Sequence, residues 1–213
     1  MLWLGIIIII AVLILMLILF LLNFYRDPDR KIPKGSNIVS PADGKIISII
    51  DTSKSAKSAI KIKKGLFGKV KALTQDISNN CYAISIFMSP FDVHINRAPI
   101  DGIVKHIRHT RGRFFGAYDM EKSFWNEKNE IMIQNKNMKI KVVQIAGFLA
   151  RRIKCYVNKH QKVNKGDRIG MIALGSQVTL IIPRIIPKGV ELKVKVGNKV
   201  KAGETVIAVL GDK

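Results

Sequence analysis

From Leu2 to Leu22 the chain is apolar without a break and carries no charge. As a helix rising ~1.5 Å per residue, this run matches the ~30 Å hydrocarbon core of a bilayer. A cleaved secretory signal would start with basic residues and end at a small-residue cleavage site. This segment opens Met-Leu-Trp and runs straight into Asn23-Phe24-Tyr25-Arg26. Trp3 at one end and Phe24 and Tyr25 at the other suit the two membrane interfaces. The nearby basic residues, Arg26, Arg30, Lys31 and Lys34, all follow the span. By the positive-inside rule the rest of the chain is expected in the cytoplasm. Residues 1–24 are thus read as an anchor in the cell membrane and residues 25–213 as one cytoplasmic domain.

The anchor gives the charge a meaning. Lys and Arg outnumber Asp and Glu 36 to 15, a net +21, which calls for an anionic partner. A basic domain tethered to a bilayer faces anionic headgroups, at about 1 kcal/mol of attraction per nearby Lys or Arg. Nucleic acid is not expected as a partner, because no basic, aromatic-interleaved recognition motif is present. Cys81 and Cys155 have neither CxxC spacing nor a matching His pair, so no metal site is expected. Reduced thiols fit a cytoplasmic domain.

Beyond Asp27 the chain reads as short strands. Pro28, Pro33 and Gly35 mark a linker, and Ser40-Pro41-Ala42-Asp43-Gly44 marks a turn. Strands are expected at Lys45–Ile50, Tyr82–Met88, Ile103–Arg108, Ile131–Gln134, Lys139–Ala146, Ile169–Leu174 and Val178–Ile182. A Ser/Lys-rich loop and then a strand are read within Asp51–Lys64. Phe148–Cys155 is ambiguous between strand and short helix. Lys162–Ile172 repeats in Lys199–Val209 as K-V-x-x-G-[acid]-x-[I/V]. This is a turn with glycine in left-handed backbone followed by an apolar strand. Barrel-sandwich modules of the biotinyl/lipoyl type use that unit twice. The expected fold is therefore mainly β, barrel-sandwich-hybrid-like, with minor α+β elements and one N-terminal transmembrane helix.

Three places could carry chemistry. Gly175-Ser176 stands between two strand-like runs and reads either as a polar hairpin turn or as permissive backbone beside a nucleophilic hydroxyl. In strained backbone the Ser176 hydroxyl could attack the preceding carbonyl and convert amide to ester. Ser89–Gly102 gathers Asp92, His94, Asn96 and Arg97 between two prolines. His94 suits proton transfer near neutral pH, and Arg97 can grip a carboxylate or phosphate. A surface loop with a structural histidine is the competing reading. Asp43 reads as an ordinary Asp-Gly turn residue or as part of a site.

Taken together, these stretches resemble the phosphatidylserine decarboxylase proenzymes in their short form. The resemblance rests on Phe24-Tyr25-Arg26-Asp27-Pro28 with Ile32-Pro33, Ser40–Gly44, Ser89–Arg97, Asn126-Glu127-Lys128-Asn129, Val142–Arg152, Gly166–Gly170 and Leu174-Gly175-Ser176, in that order. It implies self-cleavage at Gly175-Ser176 by an N→O acyl shift and β-elimination. The resulting dehydroalanine hydrolyses to a pyruvoyl group and releases ammonia. The products would be a β chain, 1–175, and an α chain, 176–213, held together as a heterodimer that is open to further homo-oligomerisation. The pyruvoyl cofactor would form a Schiff base with the serine headgroup of a membrane phospholipid and accept the electrons left when CO₂ departs.

The resemblance also implies roles. Ser176 becomes the pyruvoyl and Gly175 is the cleavage-side residue. Asp43 matches an aspartate used in maturation, and His94 matches the first of two family histidines. Arg97 stands where longer members have the second. His94 is expected to protonate the carbanion, and Arg97, Asn96 and Asp92 to contact substrate. Two alternatives are a membrane-anchored barrel-sandwich carrier, which would want a lysine at the Gly175-Ser176 tip, and a metallopeptidase using Asp92 and His94, which lacks further ligands. The lipid tails are open: phosphatidylserine and archaetidylserine share one headgroup.

Overall fold

The computed structural model describes residues 2–53, 70, 72–78, 80–113, 115–116, 120–123, 125–147, 152–173, 176–184 and 189–211. Among these, a long helix, α1 (Leu2–Phe24), precedes fourteen strands. The strands are β1 (Asn37–Val39), β2 (Gly44–Asp51), β3 (Cys81–Met88), β4 (Ile95–Arg97), β5 (Gly102–Thr110), β6 (Lys128–Gln134) and β7 (Lys139–Ile145). They continue with β8 (Ile153–Cys155), β9 (Lys162–Val163), β10 (Arg168–Ile172), β11 (Ser176–Pro183), β12 (Val190–Leu192), β13 (Lys199–Val200) and β14 (Val206–Leu210). The fold is mainly β, as expected, with a curled sheet. Most of the Asp51–Lys64 stretch, the first half of Phe148–Cys155, and Leu174-Gly175 lie outside the described residues. Within the second of these, Ile153–Cys155 is strand.

Eight strands form one antiparallel sheet in the order β13-β2-β3-β11-β7-β6-β5-β9. Two three-stranded sheets, β1-β14-β12 and β4-β10-β8, complete the domain. The central strands are rich in Ile and Val, whose branched side chains suit a pleated surface buried on both faces. The inner face packs Ile84, Ile86, Ile131, Ile133, Val142, Val178 and Leu180 into the main core. On the outer face Ile50, Val143, Ile145 and Ile181 pack beneath Val70 and Leu73. Lys141 is buried there, its Nζ donating to Leu73 O and paired with Glu130 and Asp76. A buried ammonium needs such partners.

The architecture is a duplication that the K-V-x-x-G repeat only hints at. Strands β4–β10 form one seven-strand unit, and β1–β3 with β11–β14 form the other. Equivalent hydrogen bonds recur in both. Asp43 accepts the Ala202 N–H at 2.7 Å, and Asp101 accepts the Lys165 N–H at 2.8 Å. Gly203 N–H donates to Ser40 O, and Gly166 N–H to Ala98 O. Where the copies meet, Val39 N–H donates to Pro99 O and Arg97 N–H to Pro41 O. Both Pro-x-Asp-Gly turns also require glycine, because a Cβ at Gly44 or Gly102 would lie 2.1 or 2.6 Å from a carbonyl oxygen of the next strand. One copy is thus inserted into the other. The chain leaves the outer copy after β3 and returns at β11.

This changes the reading of Gly175-Ser176. The flanking strands do not form a hairpin: β10 pairs with β4 and β8, whereas β11 pairs with β3 and β7. Apolar runs adjacent in sequence commonly pair, but here each finds its partners in a different sheet. The step is the return crossing from the inserted copy. Cys81 and Cys155 are both free thiols, and burial pushes the Cys81 thiol up to about 11.

Helix α1 is long and apolar enough to cross a membrane, and its central residues are exposed rather than packed. Among the described residues, only its end docks on the domain. Phe24 is buried against Val93, Ile95 and Met171, and Phe20 lies edge-on to Phe91 at 6.4 Å.

Candidate active site

Ser176 is the first residue of β11, opposite Met88 at the end of β3, and is fully buried. Its Oγ donates to the Met88 Sδ at 3.5 Å. A thioether is a weak acceptor, so the hydroxyl proton is loosely held. Asn96 Nδ2 approaches the same sulfur at 3.7 Å. Behind it, Gln144 Nε2 donates to Asn96 Oδ1 at 2.8 Å, and Asn129 Nδ2 donates to Gln144 Oε1 at 2.9 Å. All three amides are buried. Their donors point one way, toward Ser176, and each bond polarises the next. The positive end of such a chain suits an oxyanion developing beside Ser176.

Strand alternation produces this arrangement. Ser176, Val178 and Leu180 share the inward face of β11, as Gln144 and Val142 share that of β7. The inner face is apolar in its depth and polar at this one edge. Gly170 leaves room for it: a Cβ there would sit 2.7 Å from Gln144 Nε2. Sequence reasoning missed Gln144 and Met88. A glutamine at an inward position of an Ile/Val strand was the available signal for Gln144. Met88 carries no such signal, since nothing local separates it from any other core methionine.

His94 lies just before β4, fully buried, its carbonyl accepting the Ile172 N–H at 3.4 Å. Its Nδ1 is 2.8 Å from Asp92 O. A carbonyl only accepts, so Nδ1 carries the proton and Nε2 the lone pair. Nε2 is buried and has no hydrogen-bond partner among the described residues. The ring packs on Phe24 at 4.2 Å. Burial pushes the imidazole down to about 4, the Arg26 charge adding to it and the Asp92 carbonyl and carboxylate opposing. The ring is therefore neutral near pH 7, with a basic nitrogen unused.

The other expected residues are differently occupied. Asp43 takes two 3.0 Å bonds from Arg30 Nη2 besides the Ala202 N–H. Burial raises its carboxyl despite these partners. It borders a cleft of about 540 Å³ that also contains Ser89, Asp92, Lys45, Lys199 and Lys201. Asp92 accepts the Ser89 N–H and hydroxyl, both at 2.7 Å, and closes its own loop. Arg97 donates to Gly166 O at 2.9 Å, Asp27 Oδ1 at 2.6 Å and Pro28 O at 3.2 Å. Its guanidinium clamps the linker after α1. The structure thus brings together Ser176 and Asn96 on one sulfur, with His94 two residues before Asn96, and spends Arg97 and Asp92 on the scaffold. Gly175 lies outside the described residues.

The sequence profile of the phosphatidylserine decarboxylases matches residues 17–208. The chain belongs to the phosphatidylserine decarboxylase family. A relative from Methanocaldococcus jannaschii, provisionally named archaetidylserine decarboxylase proenzyme, is 42% identical over 191 residues, 89% of each chain. Phosphatidylserine decarboxylase proenzymes from Chlorobium phaeobacteroides and Chlorobaculum tepidum are 41% and 39% identical. The first spans 88% of this chain and 78% of the relative, the second 96% and 84%. As a family member the chain is a decarboxylase made as a proenzyme, which sets aside the carrier and peptidase alternatives.

Proposed function

We propose that this decarboxylase cuts itself at Gly175-Ser176 and then removes CO₂ from the serine headgroup of a membrane phospholipid. The observation that carries the reading is the position of Ser176. It is a buried hydroxyl on a thioether, at the crossing between two sheets and the end of a chain of aligned amide donors.

In the acyl shift the Ser176 oxygen attacks the Gly175 carbonyl and the amide becomes an ester. Asn96 Nδ2, released from its weak sulfur partner, is the donor we assign to the oxyanion. His94 Nε2 has the lone pair to take the hydroxyl proton. Elimination and hydrolysis then leave a pyruvoyl at 176 and release ammonia. Both new chains stay together, because β11 is paired to β3 along its length on one side and to β7 on the other.

The buried, uncharged surroundings of residue 176 fit a pyruvoyl, whose carbonyl supplies an electrophile for the serine amine and an electron sink. His94 would take a proton from solvent at Nε2 and deliver it to the headgroup carbon that loses the carboxylate. We assign the headgroup phosphate to the cleft bearing Lys45, Lys199 and Lys201, because both terminal nitrogens of Arg97 are committed, Nη1 to Gly166 O and Nη2 to the linker. The basic residues after α1 support an orientation with this domain on the cytoplasmic face of the cell membrane.

The test is a denaturing gel and mass spectrum of the purified chain, with serine phospholipids bearing ester or ether tails as substrates. Fragments 1–175 and 176–213 and CO₂ release are expected, and Ser176→Ala should remain at 23.9 kDa. An uncut wild-type chain that still decarboxylates would overturn the mechanism. The lipid turned over faster identifies the natural tails.

A further inference from the structure

Strand register defines one edge of the large sheet. Lys45 pairs with Phe87, Phe87 with Gln177, Gln177 with Ile145, Ile145 with Lys128, and Lys128 with Thr110. Ser176 sits on this row's rim, and so does the docking point of α1, through Phe91 and His94. From β3, whose following loop carries the α1 contacts Phe91 and His94, to β5 is four strand spacings, about 19 Å. At that far corner the chain between β5 and β6 leaves the sheet. Asn126 fastens it, with its side chain bonded to Phe115 and to Ala146 O at the end of β7.

The described residues of this excursion have an unusual surface. Trp125 is 61% exposed, and with Arg113, Phe115 and Lys122 it lines an open hollow of about 280 Å³. Arg111 and Arg113 are exposed beside it. An exposed indole sharing a hollow with Arg113 and Lys122 is poorly matched to water. It is well matched to the headgroup zone, where tryptophan is enriched and cations meet lipid phosphates. Phe91, 70% exposed at the other corner, lies against Phe20 in the last turns of α1.

We infer that the hollow of Arg113, Phe115, Lys122 and Trp125 is a second membrane contact, seated on an anionic bilayer so that the Ser176 rim lies against the lipid surface. A domain held by α1 alone would pivot about one point, whereas contacts about 19 Å apart fix which rim meets the lipid. The net charge of +21 supplies the complementary attraction. The inference rests on α1 spanning the bilayer and not on the decarboxylase chemistry.

Trp3 and Trp125 are the two tryptophans of the chain, so Trp3→Phe leaves Trp125 as a single reporter. The full-length variant is placed in nanodiscs of phosphatidylglycerol and phosphatidylcholine, with and without acyl chains brominated near the headgroup. A blue-shifted emission, quenched by the brominated lipid and shielded from iodide, is expected. Emission that iodide quenches freely and brominated lipid leaves alone overturns the inference. Arg113→Gln with Lys122→Gln should shift docked to undocked populations by about tenfold or more on anionic discs, and much less on purely zwitterionic ones. Equal quenching with and without the two cations also overturns it. None of these readouts requires self-cleavage or turnover. A chain that docks but neither cuts nor decarboxylates refutes the proposed chemistry alone, and one that turns over without docking refutes this inference alone.

Discussion

The two copies of the seven-strand unit build the same strand pair at opposite edges of one sheet and finish it differently. In the inserted copy β6 and β7 are closed by Asn135–Met138, with Asn135 accepting the N–H groups of Asn137 and Met138. In the outer copy the corresponding residues are Met88 and Ser176, and between them the whole inserted copy departs and returns. A closed turn needs only to be stable. An open one is a place where a strand begins without its predecessor beside it, and there the protein puts its chemistry. Ser176 corresponds to Met138, Asn96 to Ile38, Gln144 to Ile182 and Asn129 to Tyr82. The backbone is shared, and the polar chain occupies one edge alone. A duplicated scaffold thus supplies position, and a handful of side chains supplies reactivity.

The sharpest way to break that comparison is at His94, whose counterpart is Ser36. General acid–base groups contribute ~10²–10⁴-fold. His94→Gln should slow self-cleavage, decarboxylation or both within that range, measured by timed gels and CO₂ release, while Ser36→Ala changes neither. Equal effects at both positions would mean that the asymmetry carries no chemistry. Next in size comes the donor chain. Asn96→Leu replaces a buried amide with a similar apolar volume, matching the isoleucine at its counterpart. It should cost about 10²–10³ in cleavage rate if Asn96 meets the oxyanion, with the folded state retained. A cut rate within threefold of wild type, roughly 0.7 kcal/mol, would remove Asn96 from the mechanism.

The comparison also explains what could be read in advance. The anchor and the long strands were legible because hydrophobic length and branched-residue runs are local signals, as in Leu2–Leu22 and Tyr82–Met88. The duplication was not, because one copy is split by the other and only its turn residues remain alike. The Pro41–Gly44 and Pro99–Gly102 turns share Pro-x-Asp-Gly, yet four residues are too short a match to declare a duplication. The hairpin reading of Gly175-Ser176 fails for the same reason: apolar runs declare themselves strands but do not name their partners. In the site, Ser176 and His94 stood out as reactive types and Asn96 as a substrate contact. Arg97 stood out equally and is bound to Asp27, Pro28 and Gly166. A guanidinium's identity does not reveal whether its donors are already spent.

The smallest effects separate the two acid turns, and pH exposes them. Asp43 and Asp101 accept equivalent N–H groups, but only Asp43 is buried and joined to Arg30. With the uncut Ser176→Ala chain as background, Asp101→Asn should move folding stability by no more than about 0.5 kcal/mol, as surface changes do. Asp43→Asn should show a pH signature instead. Its carboxyl is raised in the folded protein, chiefly by burial. The folded state therefore holds that proton more tightly than the unfolded chain. The resulting stability is full below the ordinary aspartate range and is lost as pH rises through the raised value. Stability relative to the asparagine variant should decline over that interval. His94 runs oppositely, being pushed down to about 4. Its contribution is complete above the ordinary histidine range and falls away as pH drops toward 4, by about 3 kcal/mol relative to His94→Gln. Denaturant titrations between pH 3.5 and 7.5, about the span of the two ordinary ranges, should give slopes of opposite sign for the two variants. Slopes of the same sign, or none at Asp43, would show that burial at the open edge does not set this acid apart.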